Sequence, residues 1–276
     1  MSNSFKTAIL IFGLIALFVY IGDLIDNEQG AFIGLCVAGA MSFFSYWFSD
    51  KMVLSAYKGR QISSRDNPEL YNIVNNLAQR AGLPMPKIYI IPEQQPNAFA
   101  TGRNPQNAAV ACTEGLLKLM DKNELSGVLG HELGHIKHHD ILIGTIAATF
   151  AGAITNISRI FGTSSSNSKR NNAPLAILFA PIAALIMQMS ISRKREFMAD
   201  KAGAEFSGNP LYLRDALQKL ETYSRSIPLK NTSKPATANM FIINPFAGIS
   251  GLSRLFSTHP KTSERIRELE KMAALH

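Results

Sequence analysis

The sequence predicts a mainly α-helical membrane protein, in which transmembrane helices accompany a water-facing α+β domain with a small β-sheet. Three observations predict it. Four apolar stretches, Thr7 to Gly22, Ala31 to Phe48, Ile141 to Ser158 and Pro174 to Ser192, contain no Asp, Glu, Lys or Arg, and a bilayer-spanning helix needs about 17–25 such residues. Between the second and third stretches, short runs with strand character flank a Gly-Arg-Asn-Pro turn. Hydrophobic residues make up 46% of the chain and charged residues 17%, yet the mean hydropathy is only +0.05. A sizeable polar domain must therefore accompany the spans.

Taken in order, residues 1–50 read as a transmembrane hairpin. Asp23, Asp26 and Glu28 join its arms, and no small-residue cleavage site follows the first arm, so it is expected to be retained. Lys51, Lys58 and Arg60 follow the second arm. The positive-inside rule then puts the amino terminus and residues 51–140 on the cytoplasmic side. Within that region, Lys87 to Ile91 and Asn107 to Cys112 read as strands, and Asn97 to Thr101 reads as an exposed edge strand. An edge strand of this kind binds an extended peptide through its backbone; a purely structural hairpin is the other reading. Residues 141–192 are either a second transmembrane pair, kinked at Pro181, or a re-entrant hairpin. Their connection carries Arg159, Lys169 and Arg170, the wrong charge for an exported loop. Ser164 to Asn172 and Ser226 to Thr237 are polar loops, and residues 193–276 complete the water-facing domain.

The chemistry is concentrated in one helix. Asp121 with Glu124 three residues on forms a capping box, and Leu125, Val128, Leu129, Leu133 and Ile136 follow as an apolar helical stripe. Inside that stripe lies His131-Glu132-Leu133-Gly134-His135. Helical side chains at i and i+4 stand roughly 5–6 Å apart at Cβ, close enough for both imidazoles to reach one Zn²⁺ at about 2.0–2.1 Å. That is the zincin arrangement of two ligands and a general base, so the α+β domain is expected to be zincin-like. Imidazoles on a mostly apolar face also have little solvent to satisfy their nitrogens, which favours a buried site.

A catalytic zinc takes three protein ligands and keeps one position open. Glu196 is the candidate for the third, in Arg195-Glu196-Phe197-Met198-Ala199-Asp200. Glu196 and Asp200 are again i and i+4, so one carboxylate binds metal while the other accepts a hydrogen bond from a ligating imidazole and fixes its tautomer. Because His135 precedes residues 141–192 and Glu196 follows them, the intervening chain crosses the membrane an even number of times.

Over nearly its whole length the chain resembles the HtpX-type membrane zinc metalloproteases, relatives of the CAAX prenyl endoproteases. The resemblance rests on Asn97-Ala98-Phe99-Ala100-Thr101-Gly102, on His131 to His135 followed by Asp140, and on Arg195 to Asp200. Met240 to Pro245 and Ser257-Thr258-His259-Pro260 with Arg265 complete it. It implies that His131, His135 and Glu196 bind one zinc per chain, that Glu132 is the general base, and that Asp200 supports a ligating histidine. His259 is offered as a catalytic donor to the developing oxyanion. Asn97, Ala98, Phe99 and Ala100 are the candidate substrate-binding residues. The implied work is hydrolysis of damaged or misfolded membrane proteins at the cytoplasmic face of a bacterial inner membrane, with polypeptides and the lipid bilayer as partners.

The chemistry needs no family name. Zinc polarises the scissile carbonyl and acidifies its water, while Glu132 takes the proton from the attacking water and passes it to the leaving amine. Two rivals remain. A CAAX-type processing protease needs a large enclosed chamber, for which four spans in 276 residues offer little material. A non-catalytic membrane scaffold with a structural zinc needs a fourth protein ligand. His139, four residues beyond His135 where the family pattern departs into His138-His139, is the residue to nominate.

The net charge of +8 comes from basic residues gathered near span ends, where anionic headgroups attract them. No nucleic-acid motif accompanies them. Cys36 and Cys112 are too few and too differently placed for a disulfide framework or a thiolate metal site.

Overall fold

The computed structural model describes residues 3–147, 193–226 and 260–275. Most of the third apolar stretch, all of the fourth, both polar loops apart from Ser226, the Met240 to Pro245 segment and His259 lie outside the described residues.

Helix α1, Asn3–Ala56, is two arms joined at Asp26 and Asn27, whose dihedrals leave the helical region; Asn27 has φ 43°. The arms close on each other through glycines: a Cβ on Gly22 would lie 2.0 Å from the Gly30 carbonyl oxygen, and one on Gly34 would lie 2.3 Å from that of Phe18. Both arms, Thr7–Leu24 and Asp26–Phe48, are long and apolar enough to cross a membrane. Phe12, Leu24, Phe32 and Phe43 point outward, as side chains facing lipid would.

After the hairpin come β1 (Arg60–Ile62), α2 (Pro68–Ala81), β2 (Lys87–Ile91), β3 (Ala98–Gly102) and β4 (Ala108–Thr113), then α3 (Glu114–Leu119) and α4 (Lys122–Lys137). The described carboxy-terminal pieces are α5 (Arg193–Ser207), α6 (Pro210–Ser226) and α7 (Thr262–Ala273). The sheet order is β1-β2-β4-β3, with β2 and β4 parallel and both outer strands antiparallel to their neighbours. Asn97 to Thr101 is thus close to the observed edge strand, and the Gly102 to Pro105 turn joins it to β4.

One face of the sheet meets the main core. Ile88, Val110 and Cys112 pack with Leu70 and Leu77 of α2, Leu129 and Leu133 of α4, and Leu217 of α6. Each such aliphatic side chain contributes about 1.5–3 kcal/mol on burial. The other face holds Ile91, Phe99, Ala109 and Ala111 against Val53, Leu54 and Tyr57 at the end of α1. The hairpin is therefore not a separate appendage: its last turn is part of the packing that fixes β3. Cys112 is buried, Cys36 exposed, and both are free.

Candidate metal centre

Helix α4 starts at the predicted capping box, with the Asp121 side chain accepting from the Asn123 and Glu124 N–H groups and Glu124 accepting from the Asp121 N–H. Its carboxylate also meets Lys219 of α6. Glycines then decide how closely α5 approaches. A Cβ on Gly130 would lie 2.9 Å from the Gly203 carbonyl oxygen, one on Gly134 would lie 3.0 Å from Ala199 Cα, and one on Gly203 would lie 2.8 Å from the His131 backbone nitrogen. Small residues on both helices let the backbones nearly touch, which delivers Glu196 and Asp200 of α5 to the imidazoles of α4.

The donors converge. His131 Nε2 and His135 Nε2 are 3.2 Å apart, and Glu196 lies 3.7 Å from the first and 3.6 Å from the second. One donor atom from each of the three residues lies within 4.8 Å of the others, and this is the only such His/Cys/Asp/Glu group found among the described residues. The other ring nitrogens are committed elsewhere. His131 Nδ1 donates to Asp200 Oδ1 at 2.8 Å, and His135 Nδ1 donates to Asp140 Oδ2 at 3.3 Å. Each carboxylate thereby orients its imidazole so that Nε2 turns toward Glu196, the orientation a metal ligand needs. Two neutral nitrogens and a carboxylate suit a borderline divalent ion such as zinc.

The supporting carboxylates have cations of their own. Arg265 of α7 meets Asp200 through two bonds, Nε to Oδ2 at 2.8 Å and Nη2 to Oδ1 at 2.5 Å, and both residues are 1% exposed. Arg195 Nη1 stands 3.6 Å from Asp140. Burial works against the Asp200 charge, but Arg265 and His131 hold its carboxyl down at about 2. Burial likewise opposes a charge on His135, yet the Asp140 hydrogen bond and the Glu196 and Glu132 carboxylates push it up to about 9.

Glu132 is buried beside this cluster, and its Oε2 accepts the Ala100 N–H of β3 at 2.9 Å. Burial raises its carboxyl above the ordinary range, partly offset by the neighbouring imidazoles. The Ala100 N–H thus points away from β4, and strand alternation turns the Ala98 backbone the same way. Asn97 faces β4, its carbonyl accepting the Thr113 N–H at 2.9 Å. Phe99 is buried against Tyr57. Of the four nominated substrate residues only Ala100 is partly exposed; Ala98 is buried in the main core, and Asn97 and Phe99 hold the strand in place.

His139 does not join the donors. The helix ends at Lys137, and His139 adopts φ 56° and is exposed, so the i+4 relation to His135 no longer applies. That turn instead brings Asp140 back under His135, with its N–H donating to the His135 carbonyl. The supporting role of Asp140, and the cations Arg195 and Arg265, were not assigned from the sequence. One signal was present: on the otherwise polar α7, Arg265 and Leu269 are the buried pair at i and i+4, and an arginine in an apolar stripe implies a buried anion.

A histidine pair and a glutamate converging beside a second, base-like glutamate at a sheet edge define a metallohydrolase. The comparisons narrow the class: residues 64–273 match the model of peptidase family M48, and the chain belongs to that family. It is 52% identical to the Protease HtpX homolog of Campylobacter curvus over 277 residues, covering 97% of this chain and 96% of that protein. The counterpart in Methylibium petroleiphilum is 51% identical, covering 99% and 98%. The fold is similar to the crystal structure of S. mikatae Ste24p, with a TM-score of 0.52 and 19% identity over 97% of this chain; the chain spans 65% of that protein's length. The protein is thus a metalloprotease of the HtpX type.

Proposed function

We propose that the protein is an integral-membrane, zinc-dependent endopeptidase with a zincin-like catalytic domain facing the cytoplasm. His131, His135 and Glu196 are its ligands. The observation that carries this reading is the combination of three converging donors with a fourth acidic residue, Glu132, held beside them but outside the donor set. A structural site would spend all its neighbours on the metal, and His139 points elsewhere.

Bound there, zinc supplies Lewis acidity to the scissile carbonyl and to water. The chain does the rest. Asp200 and Asp140 hold the two imidazoles in the ligating orientation. Glu132, whose carboxyl burial raises above the ordinary range, takes the proton of the attacking water and returns it to the leaving amine. The outer edge of β3 beside Glu132 aligns an extended peptide next to the cluster by β-augmentation. Recognition of that kind reads backbone more than side chains, which fits unfolded segments of membrane proteins as substrates and a role in clearing damaged ones.

The test is cleavage in reconstituted vesicles of a membrane protein bearing an unfolded cytosolic loop, beside the same protein with the loop folded. Metal-dependent cuts confined to the unfolded loop are expected. Equal cutting of both, or cuts within the spans, would contradict the proposed substrate class.

A further inference from the structure

A second site lies at the junction of the hairpin and the sheet. The end of α1 contributes Tyr46, Trp47, Phe48, Asp50 and Lys51, β2 contributes Lys87, and the β3–β4 connection contributes Arg103 and Gln106, around a cavity of about 280 Å³. Three cations face one carboxylate. The Arg103 guanidinium sits 4.3 Å over the Trp47 ring, and Lys51 stands 5.7 Å from the Phe48 ring. These aromatics fix the heads of two long side chains that solvent would otherwise leave free.

The position of the pocket identifies its ligand class. The second apolar arm ends at Phe48, so the pocket opens where an interfacial tryptophan belongs and where anionic headgroups concentrate. Below it, Phe43, Phe44, Trp47 and Phe48 form an exposed aromatic face on α1, a surface along which acyl chains lie. Arginine and lysine together are phosphate-binding groups. The volume falls just under the roughly 300 Å³ at which small-ligand pockets begin, enough for a headgroup but not for a whole lipid.

We propose that this pocket binds the phosphate-bearing headgroup of an anionic phospholipid. The assignment rests on the reading that the arms of α1 span the membrane. Its consequence is mechanical: Arg103 directly follows β3, the strand that holds Glu132 through Ala100, so an occupied pocket fixes the edge strand at the level of the bilayer surface.

Trp47, the single tryptophan of the chain, stands in the pocket wall and reports on it. The full-length, zinc-loaded protein in phosphatidylcholine vesicles is titrated with phosphatidylglycerol, and a saturable change in Trp47 emission is expected. Lys51→Gln with Lys87→Gln leaves the Arg103–Trp47 stack in place and should require about tenfold or more phosphatidylglycerol for the same change. Arg60→Gln with Arg65→Gln removes equal charge outside the pocket and should titrate like the parent protein. Equal weakening by both pairs would mean general surface potential and overturn the proposal. Inorganic phosphate added to pure phosphatidylcholine vesicles should leave the emission unchanged; reproducing the change would assign the pocket to a soluble phosphate instead. Flotation after an alkaline carbonate wash separates the two levels of the argument. Protein that floats without a saturable change refutes the headgroup site alone, whereas protein that fails to float refutes the spanning reading beneath it.

Discussion

The two histidines of the centre are supported by the same device, a carboxylate backed by an arginine, at two ends that differ in closure. At the closed end, the His131 side chain is 2% exposed and meets Asp200 at 2.8 Å, with Arg265 bonded twice to that carboxylate. At the open end, the His135 side chain is 16% exposed and meets Asp140 at 3.3 Å, with Arg195 only 3.6 Å from it. The closed end fixes one ligand against a packed helix interface. The open end leaves the other imidazole partly exposed to solvent.

The largest expected effect is at the closed end. Arg265→Leu leaves Asp200 buried without its cation and should cost about 3–5 kcal/mol of stability. Arg195→Leu removes only a 3.6 Å contact to Asp140 and should cost less, about 1–3 kcal/mol. Thermal unfolding of the metal-free protein in detergent measures both, and equal losses would erase the distinction. Next, Asp200→Asn should weaken zinc binding near the upper end of the 10–100-fold range typical of such supporting groups, and Asp140→Asn near the lower end. Competition with a chromophoric chelator reads the two constants. Gly203→Ala would press a Cβ against the His131 backbone, and lifting α5 off α4 should cost roughly 1–3 kcal/mol.

The ends also differ in pH dependence, where they act on opposite limbs. The Asp200 carboxyl sits at about 2 instead of 3.8, so its stabilisation is full above 3.8 and is lost as pH falls through 2. His135 sits at about 9 instead of 6.5, so its contribution to the metal-free protein is full below 6.5 and is lost as pH rises through 9. Asp200→Asn should flatten the acid limb and His135→Gln the alkaline one, as followed by denaturant midpoints across pH.

How much of this was legible in the sequence depended on whether one helix carried the information. His131, Glu132 and His135 share a turn of α4, so helical periodicity proposed the histidine pair, whereas Glu196 with Asp200 repeats the spacing on α5 but needed the family resemblance to be chosen over a plain charged helix start. Asp140 was not legible as a support, because it reaches His135 through the left-handed turn at His139, where that periodicity stops. Arg265 is 65 residues from Asp200, and no local pattern joins them. In the sheet, the runs around β2, β3 and β4 had strand character, whereas β1 is three residues long and too short to show alternation. The packing of α1 against the sheet through Tyr57 and Phe99 follows from tertiary contact alone.

Glu132 carries the central claim, that this is a working metal centre and not a structural one. The direct measurement sets zinc stoichiometry beside casein cleavage for the parent protein and for Glu132→Gln, each stripped of metal and reconstituted. The account predicts one zinc per chain in both, with cleavage restored by zinc in the parent and lost by a factor of at least about 10² in the variant. A variant that still cleaves at the parent rate would contradict the assignment of Glu132 as the base. Loss of zinc in the variant would contradict its place outside the donor set.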